Sequence, residues 1–324
     1  MSLPTRLLSI LAGFVCLVGV AQAQQPAWPT KPVTLLVPFP AGGTVDIVAR
    51  TIGQKLGVEL GQSFIVENHG GAGGSIGTAL LAHANPDGYT LLVNHIGLVF
   101  NASLYDHLPY DTMRDVLPVS YVGATPNVLV VTNGLPVKNV QEFLALARAK
   151  PGTINYGSGG VGSAGHLAME LLESETGIKL QHVPYKGNGP AIVDLISGQI
   201  QAILATIPAV MPYITSGQMR AIATSGKLRS PALPNLPTFD EAGVKGFDYE
   251  PWYAVFAPAG TPPAVVQKIH DSIDKVLADP KVSGALAKQG LEVRRMSRDQ
   301  FAGIVRSDYA KWATLIKKLN IKVE

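Results

Sequence analysis

Residues 35–46 read LLVPFPAGGTVD, an apolar strand-like run joined through a glycine turn to the start of a helix. The first turn of a helix carries unpaired N–H groups and the positive end of the helix dipole. Glycines beside it let a carboxylate or phosphate approach those N–H groups closely. The same strand–glycine–helix pattern recurs at residues 65–77 and 154–166. Three such turns, with no ordered catalytic constellation beside them, point to capture of an acidic small molecule. Asp46 follows Gly43 and Thr44 in the first turn and is read as stabilising that turn against the dipole, with direct contact to a donor-bearing ligand as the alternative. Lys186, in PYKGNG, either pairs with a ligand carboxylate or points into solvent.

Two segments resemble catalytic motifs and lack what the chemistry needs. Residues 160–165, GVGSAG, fit the dinucleotide pattern GxGxxG. That fold also requires an acid roughly 20 positions on, at the end of the next strand, where this chain has Gln181-His182-Val183-Pro184. Gly162 as a close-approach glycine and Ser163 as a helix cap survive as an anion site. Residues 73–77, GGSIG, fit the nucleophile elbow GxSxG, but glycines separate Ser75 from a strand expected to end near Asn68, so the serine is read as a helix cap. A periplasmic serine hydrolase with Ser75, a histidine (His166, His182 or His270) and an aspartate (Asp194, Asp240 or Asp248) remains the enzyme alternative. The seven histidines show no metal-ligand spacing, so no metal is expected. His95 and His166 each follow a strand toward a glycine turn, where ligand contact and simple loop hydrogen bonding are both open.

The amino terminus has Arg6, an apolar run over residues 7–20 and Ala21-Gln22-Ala23, which reads as a secretory signal cleaved after Ala23. The run is shorter than the ~20 residues of a membrane span. The only cysteine, Cys16, lies inside it and lacks the small residues that precede a lipidation site. The exported chain then has no cysteine, which excludes a disulfide scaffold, a cysteine nucleophile and a zinc–thiolate site. Export without disulfides favours the periplasm. The formal charge of +3 falls to +2 with the loss of Arg6, too weak a bias for nucleic acid or a charged membrane.

Strands are expected at 33–38, 64–67, 90–94, 128–132, 154–157, 179–183, 202–205, 220–224 and 254–257. They alternate with helices that carry stripes such as Val45, Val48, Ile52 and Leu56. The pattern is α/β, with mostly parallel sheets covered on both faces. Residues 127–132 and 252–258 are extended runs with loops on both sides, suited to a chain that crosses between lobes and returns. They place lobe one at 24–124 plus 254–324 and lobe two at 125–253.

Taken in order, PTKPV (29–33), VPFPAGGTVD (37–46), VENHGGAGG (66–74), PDGYTLL (86–92), LPYD (108–111), NYGS (155–158), HVPYKG (182–187) and APAGTP (257–262) resemble the periplasmic substrate-binding proteins of tripartite tricarboxylate transporters, the Bug family. The resemblance implies a two-lobed type II binding-protein fold, a flytrap hinged by two crossing strands and closing on a carboxylate. It implies a receptor rather than an enzyme, with no cofactor, acting as a monomer that delivers its ligand to membrane permease subunits. Capture for a membrane sensor uses the same flytrap and is the alternative. Carried onto this chain, the grip falls on residues 39–46 and 158–166. With the neighbouring loops, the expected ligand-binding residues are Phe39, Gly43, Thr44, Asp46, His95, Gly97, Ser158, Gly159, Ser163, His166, Lys186 and Thr206. Relatives often carry an acid at the position of Ala205, and residues 95–100 are unusually apolar here. Both departures point to a ligand without an amine, a dicarboxylate or an aromatic carboxylate.

Overall fold

The computed structural model describes residues 28–185, 187–288 and 290–323; the leader and Lys186 lie outside them. The chain opens with β1 (Val33–Val37), α1 (Thr44–Leu60), β2 (Phe64–Asn68), α2 (Ser75–Ala82), β3 (Thr90–His95), α3 (Gly97–Leu104), the single turn α4 (Thr112–Asp115) and β4 (Val116–Ala124). A second unit follows with β5 (Asn127–Thr132), α5 (Val140–Ala149), β6 (Asn155–Ser158), α6 (Ala164–Thr176), β7 (Gln181–Pro184), α7 (Asn188–Ser197), β8 (Ala202–Thr206), α8 (Ile207–Thr215) and β9 (Met219–Thr224). The chain then returns to the first unit through β10 (Trp252–Pro258), α9 (Pro263–Ala278), α10 (Pro280–Lys288), β11 (Glu292–Val293) and α11 (Arg298–Leu319).

Two sheets result, ordered β11-β4-β10-β3-β1-β2 and β7-β6-β8-β5-β9. Each is mixed, which corrects the expectation of mostly parallel sheets. β1 runs parallel to β2 and β3, and β6 runs parallel to β7 and β8. The strands beside the crossings, β10 and β5, are antiparallel to their neighbours. The reason is topological. The parallel strands end toward the other lobe, whereas β10 and β5 begin there. β4 was not anticipated, because Pro118 and Gly123 interrupt its sequence pattern.

The chain crosses at Thr125-Pro126 and again at Glu250-Pro251, where the Thr125 N–H donates to the Pro251 carbonyl at 3.1 Å. Because β10 lies wholly in the first sheet, the second crossing falls just before Trp252 rather than at residue 254. Helices cover both faces of each sheet, so β1, β5 and β10 are almost completely buried. Val45, Val48, Ile52 and Leu56 form the buried face of α1. One core cluster continues through both lobes. α11 joins it: Trp312 meets Phe100 edge-on at 4.7 Å and Tyr249 at 5.4 Å.

Candidate functional site: a cleft lined by helix N-termini

The carboxyl ends of β1, β3, β6 and β8 face the gap between the lobes, the usual ligand position in open α/β sheets. A cleft of about 410 Å³ lies there, lined from lobe one by Phe39, Gly43, Thr44 and His95 and from lobe two by Gly159, Ser163, Ala164 and Thr206. A second recess of about 230 Å³ shares Phe39, His95, Gly159, Ser163 and Ala164 with it and runs deeper, past Gly97. Thr44 opens α1, Ala164 opens α6, Asn188 opens α7 and Thr206 caps α8, so four helix N-termini meet at the cleft. Among the described residues, no Lys, Arg, Asp or Glu lines either chamber. Negative charge is therefore met by N–H groups, hydroxyls and dipoles, each helix end counting for roughly half a positive charge.

Gly42, at φ +84°, turns the chain so that Gly43 enters α1 extended. Asp46 is buried and does not line the cleft. Its carboxylate accepts from the Gly42 N–H at 2.9 Å, Asn68 Nδ2 at 2.9 Å and Arg50 Nε at 3.0 Å. Burial would raise its pKa, but the hydrogen bonds from Arg50, Gly42 and Asn68 outweigh it and hold the carboxyl below its ordinary value. The carboxylate is thus committed to shaping the turn.

Ser163 caps α6 and accepts from the His166 N–H at 3.4 Å, which leaves the next two N–H groups of that helix at the cleft. Ser158 and His166 were expected to touch ligand, yet they lie behind this loop. Ser158 Oγ sits 2.7 Å from His182 Nε2 and accepts from the Gly160 N–H at 3.1 Å. His166 Nδ1 accepts from the Gly162 N–H at 3.1 Å, and its ring stacks on His182 at 4.0 Å, which stacks on Tyr156 at 4.9 Å. Both side chains are buried and brace the loop over residues 158–163 from inside lobe two.

His95 does line the cleft. Its Nδ1 accepts from the Gly97 N–H at 2.8 Å, which places the proton of the neutral ring on Nε2. Burial pushes its pKa down to about 4, and Phe39 stacks on it at 4.7 Å. A Cβ at Gly97 would overlap the His95 ring, so the glycine is required there. The Thr206 hydroxyl makes no capping bond and is left for the cleft.

Residues not singled out in the sequence also line the chambers: Tyr253, Pro251 and Asn188 in the cleft, Asn101 and Tyr105 in the recess. Tyr253 lies in a buried strand and Asn101 in a mostly apolar helix, so neither carried a sequence signal. Ala205, by contrast, packs in the core of lobe two, and Leu98, Val99 and Phe100 pack in the larger core. Their apolar character therefore belongs to packing. Ser75 opens α2, and no histidine partner for it is present among the described residues: His166 and His182 are engaged as above, and His270 Nδ1 lies 3.2 Å from the Val119 carbonyl.

The chain is 36% identical over 323 residues to Protein BugT of Bordetella pertussis, covering 99% of each. Its fold matches the structure of R. palustris Rpa4515 with adipate at a TM-score of 0.83, with 35% identity and coverage of 91% of this chain and 99% of that one. It also matches MatC from Rhodopseudomonas palustris with bound malate at a TM-score of 0.79, with 31% identity and coverage of 89% and 100%. These are solute-binding proteins rather than enzymes. Residues 48–321 match the family described as "Tripartite tricarboxylate transporter family receptor", and with a two-lobed α/β fold around a cleft of helix N-termini, the chain belongs to that family.

Proposed function

We propose that the protein is a periplasmic receptor that captures a small organic carboxylate, a dicarboxylate or an aromatic carboxylate, between its lobes and delivers it to the membrane subunits of a tripartite transporter. In this reading the leader is cleaved after Ala23 and the receptor works as a monomer. The observation that carries it is the meeting of the α1 and α6 N-termini from opposite lobes across a cleft with no charged side chain among the described residues. A carboxylate between them accepts N–H bonds from both lobes at once, so it stabilises the closed arrangement more than the open one. That differential affinity is what shifts the population toward closure. The same lining has no acid to pair with a ligand ammonium, which favours organic acids over amino acids. The adipate and malate bound by two relatives support the ligand class.

Thermal-shift screening tests it, since a ligand raises stability by RT ln(1 + [L]/Kd). Mono-, di- and aromatic carboxylates should raise Tm, and aspartate and glutamate should not. Stabilisation by amino acids alone would overturn the ligand class. Delivery is tested by growth on the acid found: deletion of the gene should abolish it, and unimpaired growth would refute transport.

A further inference from the structure

We propose that the recess beyond the carboxylate cradle is a specificity subsite for a neutral hydroxyl-bearing far end on an apolar acid, and that it rejects a second carboxylate. This rests on reading the cleft as a carboxylate site, and of the two ligand classes named for it selects the apolar, above all aromatic, monocarboxylate over the dicarboxylate.

The recess walls are Leu104 and Val323 from lobe one and Val161 from lobe two, with Gly73 as the floor. Two polar side chains enter it. Asn101 is 3% exposed, and its Nδ2 donates to the Gly73 carbonyl at 3.0 Å, which turns Oδ1 toward the recess. The Tyr105 hydroxyl makes no hydrogen bond among the described residues, and Asn101 Oδ1, beside the buried Tyr110 hydroxyl, has two lone pairs and so keeps one for a guest. Both converge on one spot: a Cβ built on Gly73 would stand 3.1 Å from Asn101 Oδ1 and 3.2 Å from the Tyr105 oxygen. A guest atom near there must donate to the amide oxygen and can also exchange a bond with the phenol. A hydroxyl does both. Burial raises the Tyr105 pKa, so the phenol stays protonated.

A carboxylate can accept from the Tyr105 hydroxyl but has no proton to give Asn101 Oδ1. It would face the lone pairs of Asn101 Oδ1. The α3 N-terminus offers it nothing at Gly97, whose N–H already bonds His95 Nδ1, and His95 is neutral. Moving a charge from water into this pocket would leave it underpaired and costly. Because Val161 belongs to the opposite lobe, the subsite is complete only when the lobes meet, so it selects at closure.

The test is calorimetry on two matched series, benzoate with 4-hydroxybenzoate and terephthalate, and hexanoate with 6-hydroxyhexanoate and adipate. The hydroxy acids should bind roughly five- to tenfold tighter than their parents, and the diacids more weakly than the parents. Tyr105→Phe should lower the ratio of hydroxy-acid to parent-acid affinity, and Val161→Lys should turn the preference toward the diacids. Equal affinities within a series, tighter binding of a diacid by the wild type, or an undiminished preference in Tyr105→Phe would overturn the subsite and leave the carboxylate reading standing. No response to any acid of the wider thermal-shift panel would refute both.

Discussion

Gly162 is one of the points at which lobe two touches lobe one, and replacing it with alanine tests whether that contact belongs to the ligand-bound state. Its φ is +75°, and an added Cβ would stand 2.6 Å from Leu104 Cδ1 and 3.2 Å from Val323 Cγ2, both in lobe one. Gly177, at φ +67°, has nothing within 4 Å of such a Cβ and serves as the control. Both alanines carry the left-handed backbone penalty of roughly 1–2 kcal/mol. Only Gly162→Ala adds a clash between lobes, relieved by forcing the buried Leu104 off its rotamer at roughly 0.5–1.5 kcal/mol or by opening the cleft. Unliganded protein can open, so the two variants should lose similar Tm. A penalty of roughly 0.5–1.5 kcal/mol on the closed form alone weakens binding about two- to twelvefold. Calorimetry with the acid identified by screening, beside melting of the unliganded variants, separates the two effects. Wild-type affinity in Gly162→Ala, together with the Tm loss of Gly177→Ala, would show that closure does not use this contact.

Asp46→Ala removes the acceptor for three donors in a buried turn and should lower unfolding free energy in urea by roughly 2–3 kcal/mol; a change under 0.5 kcal/mol would contradict its structural role. Thr206→Val leaves no cap unmade, so its Tm should stay near wild type while affinity for the acid falls about fivefold, a hydroxyl's typical hydrogen-bond contribution. Burial pushes His95 down to about 4, and burial with His166 does the same for His182, so between pH 6.5 and 4 the unfolded chain takes up protons that the folded chain refuses and stability falls with pH. Glu173, raised to about 7 mainly by burial, takes up its proton earlier in the folded state and opposes that fall; Glu173→Gln should therefore steepen the decline of Tm from pH 7 to 4.5, and a shallower decline would reverse the assignment.

Local patterns made the α/β class, the nine expected strands and the helix stripes legible, because burial on both faces writes continuous apolar strands and 3.6-residue periods into the chain. The glycine turns were legible too: Gly42, Gly160 and Gly162 adopt positive φ, a demand that residue type records directly. Side-chain direction was not. Asp46, Ser158 and His166 stand in the turns that line the cleft, yet their side chains point away from it, toward Arg50 and Asn68 or toward His182. Sequence position cannot distinguish an acid aimed at a ligand from one aimed at a neighbouring backbone N–H, since both need the same residue within the same turn. Asn101, Tyr105 and Tyr253 reach the chambers only because α3 and β10 are carried there by sheet order and by α11 packing across the lobes. The opening glycine turn announced an anion site on its own. That it faces a second such turn across a cleft without charged side chains among the described residues is decided by contacts between residues far apart in the chain, which no local pattern encodes.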